Sequence, residues 1–257
     1  MKKAKRILVS MGIGFLVLII VAAIVVGLFL DKIVKAGVER VGPKITQTTV
    51  TVDAVNLSLL TGSARVKNLV VGSPEGYRAP NAISVGLATV SVSPMSVLSD
   101  TIVVKSVRVE SPDITFEGSL NGNNLTKILD NVNGVAKKGG PEPTVKTATG
   151  TSKPGKKFEV DDLFITGAKV HGTLTLFGGK EVTIPSLTLP DIELHDLGKG
   201  PEGITATDLT RQVLSEVVSG TIKAVGSDAT NLGKDAGKIV GEGVNKIITG
   251  IGGLLKK

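Results

Sequence analysis

The sequence predicts a mainly β protein with α elements: an N-terminal transmembrane helix, a curved antiparallel-type β-sheet in two strand blocks, and a long C-terminal amphipathic helix. Three observations predict it. Ile7 to Leu30 is a run of 24 residues without a charge. Segments between Val50 and Leu194 alternate apolar and polar residues with a period of two. From Asp208 onward the apolar period lengthens to that of a helix.

The first segment, at about 1.5 Å per residue, spans roughly 36 Å against a hydrocarbon core of about 30 Å. It exceeds the roughly 7 to 15 residues of a cleavable signal's apolar core, so it reads as an uncleaved, single-pass signal anchor. Lys2, Lys3, Lys5 and Arg6 precede it and Asp31 follows it, which keeps the N-terminus inside and sends residues 31–257 to the periplasm or another extracytoplasmic space. Lys32, Lys35, Arg40 and Lys44 weaken that asymmetry. The implied organisation is a cytoplasmic basic tail over 1–6, the anchor over 7–30, a first β block over 31–133, a flexible basic linker over 134–157, a second β block over 158–200 and an amphipathic helical region over 201–257.

The net charge of +7 resembles a nucleic-acid signal until it is placed along the chain. The N-terminal tail carries +4 of it, and residues 134–157, with six lysines against Glu142, carry +5. The remainder is therefore −2, too little to build a phosphate-binding face, and nucleic acid is excluded as a partner. The absence of cysteine excludes disulfides, thiol chemistry and Cys-ligated zinc.

Alternation starts at Val50 to Leu59, where the apolar phase moves from even to odd positions between Ala54 and Val55, as at a bulge or bend. Ala64 to Val71, Ile83 to Val92 and Ile102 to Val109 repeat the pattern and are rich in Val and Ile, as strands are. Pro94 to Asp100 has room for one helical turn. After a short strand at Ile114 to Glu117, Asn123 caps a helix carrying Leu125, Ile128 and Leu129. Residues 134–157 contain no Leu, Ile, Phe or Tyr, so they bury too little to offset the entropy of ordering.

In the second block, strands are predicted at Phe158 to Val160, Leu163 to Thr166, Val170 to Phe177, Val182 to Leu189 and Ile192 to Leu194. Phe177-Gly-Gly-Lys180 is a hairpin turn signal. Pro185 and Pro190 cannot donate to a ladder and belong at an edge, a bulge or a strand end, which suits an open or curved sheet. Beyond Asp208, eleven apolar positions from Val218 to Leu254 advance by 3.6 residues per step, with Thr207 or Asp208 as the cap. Nine glycines between 220 and 253, each costing about 1 kcal/mol relative to Ala, make this helix depend on a packing surface. Gly233, Gly237 and Gly241 are the candidate helix contact. The surface is either the sheet of its own domain, or a lipid surface or partner helix.

No catalytic, cofactor-binding or metal-ligating constellation emerges. His171 and His195 stand in strands without metal-ligand spacing, and His195 beside Asp196 reads as a surface hydrogen bond. Gly178-Gly-Lys180 lacks the rest of a phosphate-binding loop, and no nucleophile elbow, His-Glu-x-x-His or EF-hand pattern is present. The chain reads as a non-enzyme.

The stretch Gly62-Ser-Ala-Arg-Val-Lys-Asn-Leu-Val-Val-Gly-Ser-Pro-Glu-Gly-Tyr77 resembles the motif of AsmA-like envelope proteins, in which a strand ends in a small-residue-Pro-x-Gly-Tyr turn. Ala82-Ile83, Val90 to Leu98, Ile102 to Pro112, Phe116-Glu117 and Asn123-Asn-Leu125 follow in that family's order. The resemblance covers residues 45–131, and Val160 to Gly198 is similar to the family's later strands. It implies a bacterial inner-membrane protein whose bulk extends a curved β-sheet with an apolar concave face into the periplasm. It further implies a role in lipid handling or outer-membrane biogenesis, with membrane lipids and envelope proteins as partners and no catalytic residue. At about 4.8 Å per strand, eight or nine strands give a sheet roughly 40 Å long, too short to cross the periplasm alone. The chain is then either a lipid-handling module or a structural adaptor of an envelope complex. A late-embryogenesis-type stress domain, which shares the short alternating strands, is the third choice, and the bacterial-style anchor weighs against it.

The candidate lipid groove follows from unmatched apolar surface. Val66, Val85, Leu87, Val107, Val109, Ile165, Leu174, Leu176, Leu187 and Leu189 are expected to line one face. That face either holds acyl chains or is closed by the C-terminal helix as an ordinary core.

Overall fold

The structure is a computed structural model that describes residues 30–58, 61–119, 122–139 and 155–231. The anchor over 7–29, most of the basic segment 134–157 and the stretch 232–257, with Gly233, Gly237 and Gly241, lie outside the described residues.

A helix, α1, over residues 30–46 opens the described chain. Gly37, Gly42 and Pro43 hide it from sequence reasoning. Its support comes from the neighbouring strand β1 (Val50–Ser58), which forms one edge of the sheet. Asp31, Lys35 and Glu39 recur every four residues and so share a helix face. The Asp31 carboxylate accepts the Leu57 N–H at 2.8 Å, the Glu39 carboxylate accepts the Val52 N–H at 3.1 Å, and Lys35 Nζ donates to the Asp53 carbonyl at 2.9 Å. One row of charged side chains thus blunts an edge that would otherwise invite pairing. Farther along, Ile45 is buried in the core.

From β1 the chain runs antiparallel into β2 (Ser63–Gly72) and then β3 (Asn81–Val92). The phase change at Ala54/Val55 is not a bulge in β1, because the β1–β2 register is constant from Val50↔Val71 to Ser58↔Ser63. The irregularity sits on β2, where Asn68 takes φ 48° and its side-chain amide donates to the Asp53 carboxylate at 2.6 Å. The long β3 pairs on its other side with both β4 (Thr101–Glu110) and β5 (Asp113–Gly118). These two are halves of one bent strand, as are β6 (Lys157–Thr166) and β7 (Lys169–Thr175), and β8 (Glu181–Thr188) and β9 (Ile192–Leu197).

The bends align. Ser111 at φ 47° and Gly167 at φ 63° mark two of them. Ladder bonds continue across the corner: Ser111 N–H to Thr166 O, Lys169 N–H to Pro112 O, and Leu189 N–H to Ala168 O. The antiparallel-type expectation is corrected here, because the sheet is mixed. β4 runs parallel to β6, and β5 runs parallel to β7 in the same register. The physical reason is the long connection after β5, which contains α2 (Asn124–Lys137) and returns the chain to the starting end of the sheet, as a parallel pairing requires. That connection also joins the two blocks into one open, curled, nine-stranded sheet with β8 and β9 at the edge away from β1. Pro185 lies in β8, opposite the register shift at Val170/Gly172, where no ladder donor is needed. The two-glycine hairpin closes β7 on β8, with Gly178 and Gly179 both at φ 78°.

On the sheet lie α2 and α3 (Ala206–Asn231). Asn123 caps α2 reciprocally with Thr126, as the sequence predicts for the cap. The helix runs on to Lys137, into the segment expected to be linker. Leu125, Ile128, Leu129 and Val132 from α2 meet Leu214, Val217, Val218, Ile222 and Val225 from α3 in one core with Ile114, Phe116, Val160 and Val170. The α3 cap is Thr205, not Thr207 or Asp208: its hydroxyl accepts the Asp208 N–H at 3.0 Å and donates to the Asp208 carboxylate at 2.7 Å. Thr205→Ala is expected to cost about 1 kcal/mol, read as a lower denaturation midpoint with an unchanged slope.

Candidate functional site

At the end of the sheet where β3 begins, four segments are linked by hydrogen bonds around Glu117. The side chain is buried beside a turn, residues 73–80, whose backbone donors point inward. Oε1 of Glu117 accepts the Arg78 N–H at 2.9 Å and the Arg78 Nε at 3.1 Å, while Oε2 accepts the Ala79 N–H at 2.7 Å. The Arg78 guanidinium bridges onward to Glu181 on β8 at 2.7 Å. Behind Glu117, its own N–H donates to Asn124 Oδ1 at 3.0 Å, and Asn124 Nδ2 donates to the Thr115 carbonyl at 2.7 Å. The fully buried Asn124 therefore does for the end of β5 what a neighbouring strand would do.

The charges follow from this geometry. Burial pushes the Glu117 carboxyl up, but the Ala79 and Arg78 backbone donors and the Arg78 guanidinium outweigh it and hold the group below the usual glutamate value. Burial, aided by the Glu117 charge, raises the Tyr77 phenol. The Arg78 guanidinium is raised by its bonds to Glu181 and Glu117. A carboxylate with both oxygens occupied by donors is a poor general base and a good latch: it ties the β2–β3 turn to β5, while Arg78 extends the link to β8 and the Glu117 backbone to the start of α2.

The histidines take no part. His171 Nδ1 lies 3.0 Å from Asp113 at a half-buried position, and His195 Nδ1 lies 2.7 Å from Asp162 at an exposed one. His195 thus finds its partner across the sheet on β6, while its neighbour Asp196 pairs with Lys199. Among the described residues no group of His, Cys, Asp and Glu could hold a metal ion.

The ten candidate groove residues do not share one face. Val66 pairs with Ala88 whereas Leu87 pairs with Lys67, so the two point to opposite sides of the sheet. Val85, Ile165, Leu174 and Leu189 are buried, the last three inside the core under α2 and α3. Val107, Val109, Leu176 and Leu187 pack against that core.

A family model described as the AsmA family matches residues 1–175. The chain belongs to the AsmA family. No curated protein and no solved structure matches it. The AsmA match covers residues 1–175, to the end of β7, so it contains α1, the Arg78, Glu117 and Asn124 members of the latch but not Glu181, and both arms of the parallel pairing. Glu117, Arg78 and Asn124 lie inside or beside the segments that carry the resemblance. Their common role was invisible in the sequence, since Arg78 and Glu117 stand 39 residues apart. The AsmA motif of this chain is thus one hydrogen-bonded corner, and AsmA membership fits an envelope-related function.

Proposed function

We propose that the chain is a non-enzymatic module of the bacterial cell envelope, held in the inner membrane by Ile7 to Leu30, with residues 31–257 on the periplasmic side and a role in lipid handling or outer-membrane biogenesis. The AsmA match over residues 1–175 carries this reading. The 24 uncharged residues from Ile7 to Leu30 support the anchor; among the described residues no helix is long and apolar enough to cross a membrane. Alkaline phosphatase fused after Lys257 is expected to be active, and inactivity would overturn the orientation.

A structural adaptor is the second reading, and one observation favours it: α2 and α3 already pack on the sheet over β5, β6, β8 and β9 and share one core with it. Mass spectrometry of lipids co-purifying with the detergent-extracted chain separates the two. A defined phospholipid set supports lipid handling. A lipid-free chain that still retrieves envelope proteins leaves the adaptor. Leu174 is buried in the core, so Leu174→Lys is expected to destabilise the chain by several kcal/mol and unfold it; a folded Leu174→Lys protein would favour a groove at this position.

A further inference from the structure

Among the described residues four large hydrophobic side chains are exposed: Ile33 at 65%, Val34 at 36%, Met95 at 78% and Leu98 at 85%. Scattered singly they would need no explanation. They are not scattered. Met95 and Leu98 belong to the 3-10 turn Pro94–Leu98 that follows β3. This turn stands beside the β1–β2 connection, because the Val92 N–H bonds Gly62 O at 2.6 Å. Ile33 and Val34 lie in the first turns of α1, which are fixed to the same end by the bond from the Leu57 N–H to Asp31. All four therefore sit at one end of the sheet, within a few strand spacings of about 4.8 Å.

The turn is built rather than loose. Ser96 Oγ donates to Ser93 O at 2.7 Å and accepts the Val103 N–H at 2.9 Å, and Lys156 Nζ donates to the carbonyls of Val97 and Ser99 at 2.6 and 2.8 Å. Its polar groups are satisfied inward while Met95 and Leu98 face outward. The end in question is also the one at which the uncharged run Ile7 to Leu30 joins α1.

We infer that Met95, Leu98 and Ile33 contact the lipid bilayer that holds the anchor, so that the sheet stands with this end in the membrane interface and the hairpin at Gly178-Gly179 pointing away. The inference rests on the anchored reading above. The occupant is a lipid surface because the apolar tips share their end with the membrane-spanning run, and a bilayer interface accommodates apolar side chains whose backbone is already satisfied.

The chain has no cysteine, so single labels are unambiguous. The full chain carrying Leu98→Cys, and separately Lys180→Cys at the opposite end, is labelled with an environment-sensitive fluorophore. It is reconstituted in vesicles of phosphatidylethanolamine and phosphatidylglycerol with part of the acyl chains brominated. The label on Leu98→Cys is expected to shift to the blue and lose most of its emission to the brominated chains, while the label on Lys180→Cys remains unquenched and open to aqueous iodide. Equal quenching of both, which would mean a sheet lying flat, or iodide access to both, would overturn the contact. Alkaline carbonate extraction keeps the two readings apart. Retention with an unquenched Leu98→Cys label defeats the contact and leaves the anchor, whereas release from the vesicles defeats both.

Discussion

Glu117→Ala is expected to destabilise the chain by about 3 kcal/mol, because the Ala79 and Arg78 backbone donors and the Arg78 guanidinium lose together the acceptor that joins their turn to β5. Glu117 is 8% exposed, so solvent does little to replace it. Glu117→Gln keeps one acceptor oxygen and should cost less, about 1 to 2 kcal/mol. The two variants differ in their response to acid. The folded carboxyl lies below its ordinary value of 4.5, so its contribution is present above that value and is lost as pH falls through the lower folded value. Denaturant midpoints of the full chain in detergent should therefore fall with acid in the wild type, and the fall should be shallower for Glu117→Gln. A Glu117→Ala protein as stable as the wild type would show that the latch is ornamental.

Gly172→Ala is expected to cost about 3 to 5 kcal/mol and to leave little folded protein. Gly172 pairs with Phe116 where β7 runs beside β5, at φ 141°, and an added Cβ would lie 1.9 Å from the Phe116 carbonyl oxygen. Backbone, not a flexible side chain, blocks it, and Phe116 is fully buried in the core, so neither strand can yield without opening the centre of the sheet. Gly86→Ala on β3 is the control. Nothing lies within 4 Å of its Cβ position, and its effect should stay within about 1 kcal/mol. Equal losses at the two glycines would mean that the close approach at Gly172 carries no special cost.

What local chemistry controls was legible in the sequence. Period-two alternation located the strands because each has one face buried, the glycine pair marked the β7–β8 hairpin, and Asn123 announced the α2 cap. The order of motifs around Pro74, Glu117 and Asn123 indicated the AsmA family before the family match. Interactions between distant segments lay outside its reach. Helix α1 is helical against two glycines and a proline because the edge of β1 takes its Asp31, Lys35 and Glu39. The parallel pairing of β4 with β6 and β5 with β7 depends on where the chain returns after α2, which no local period encodes. Of the apolar residues read as one face, Ile165, Leu174 and Leu189 lie in the core for the same reason: alternation states that a face is buried, and only tertiary packing decides what buries it.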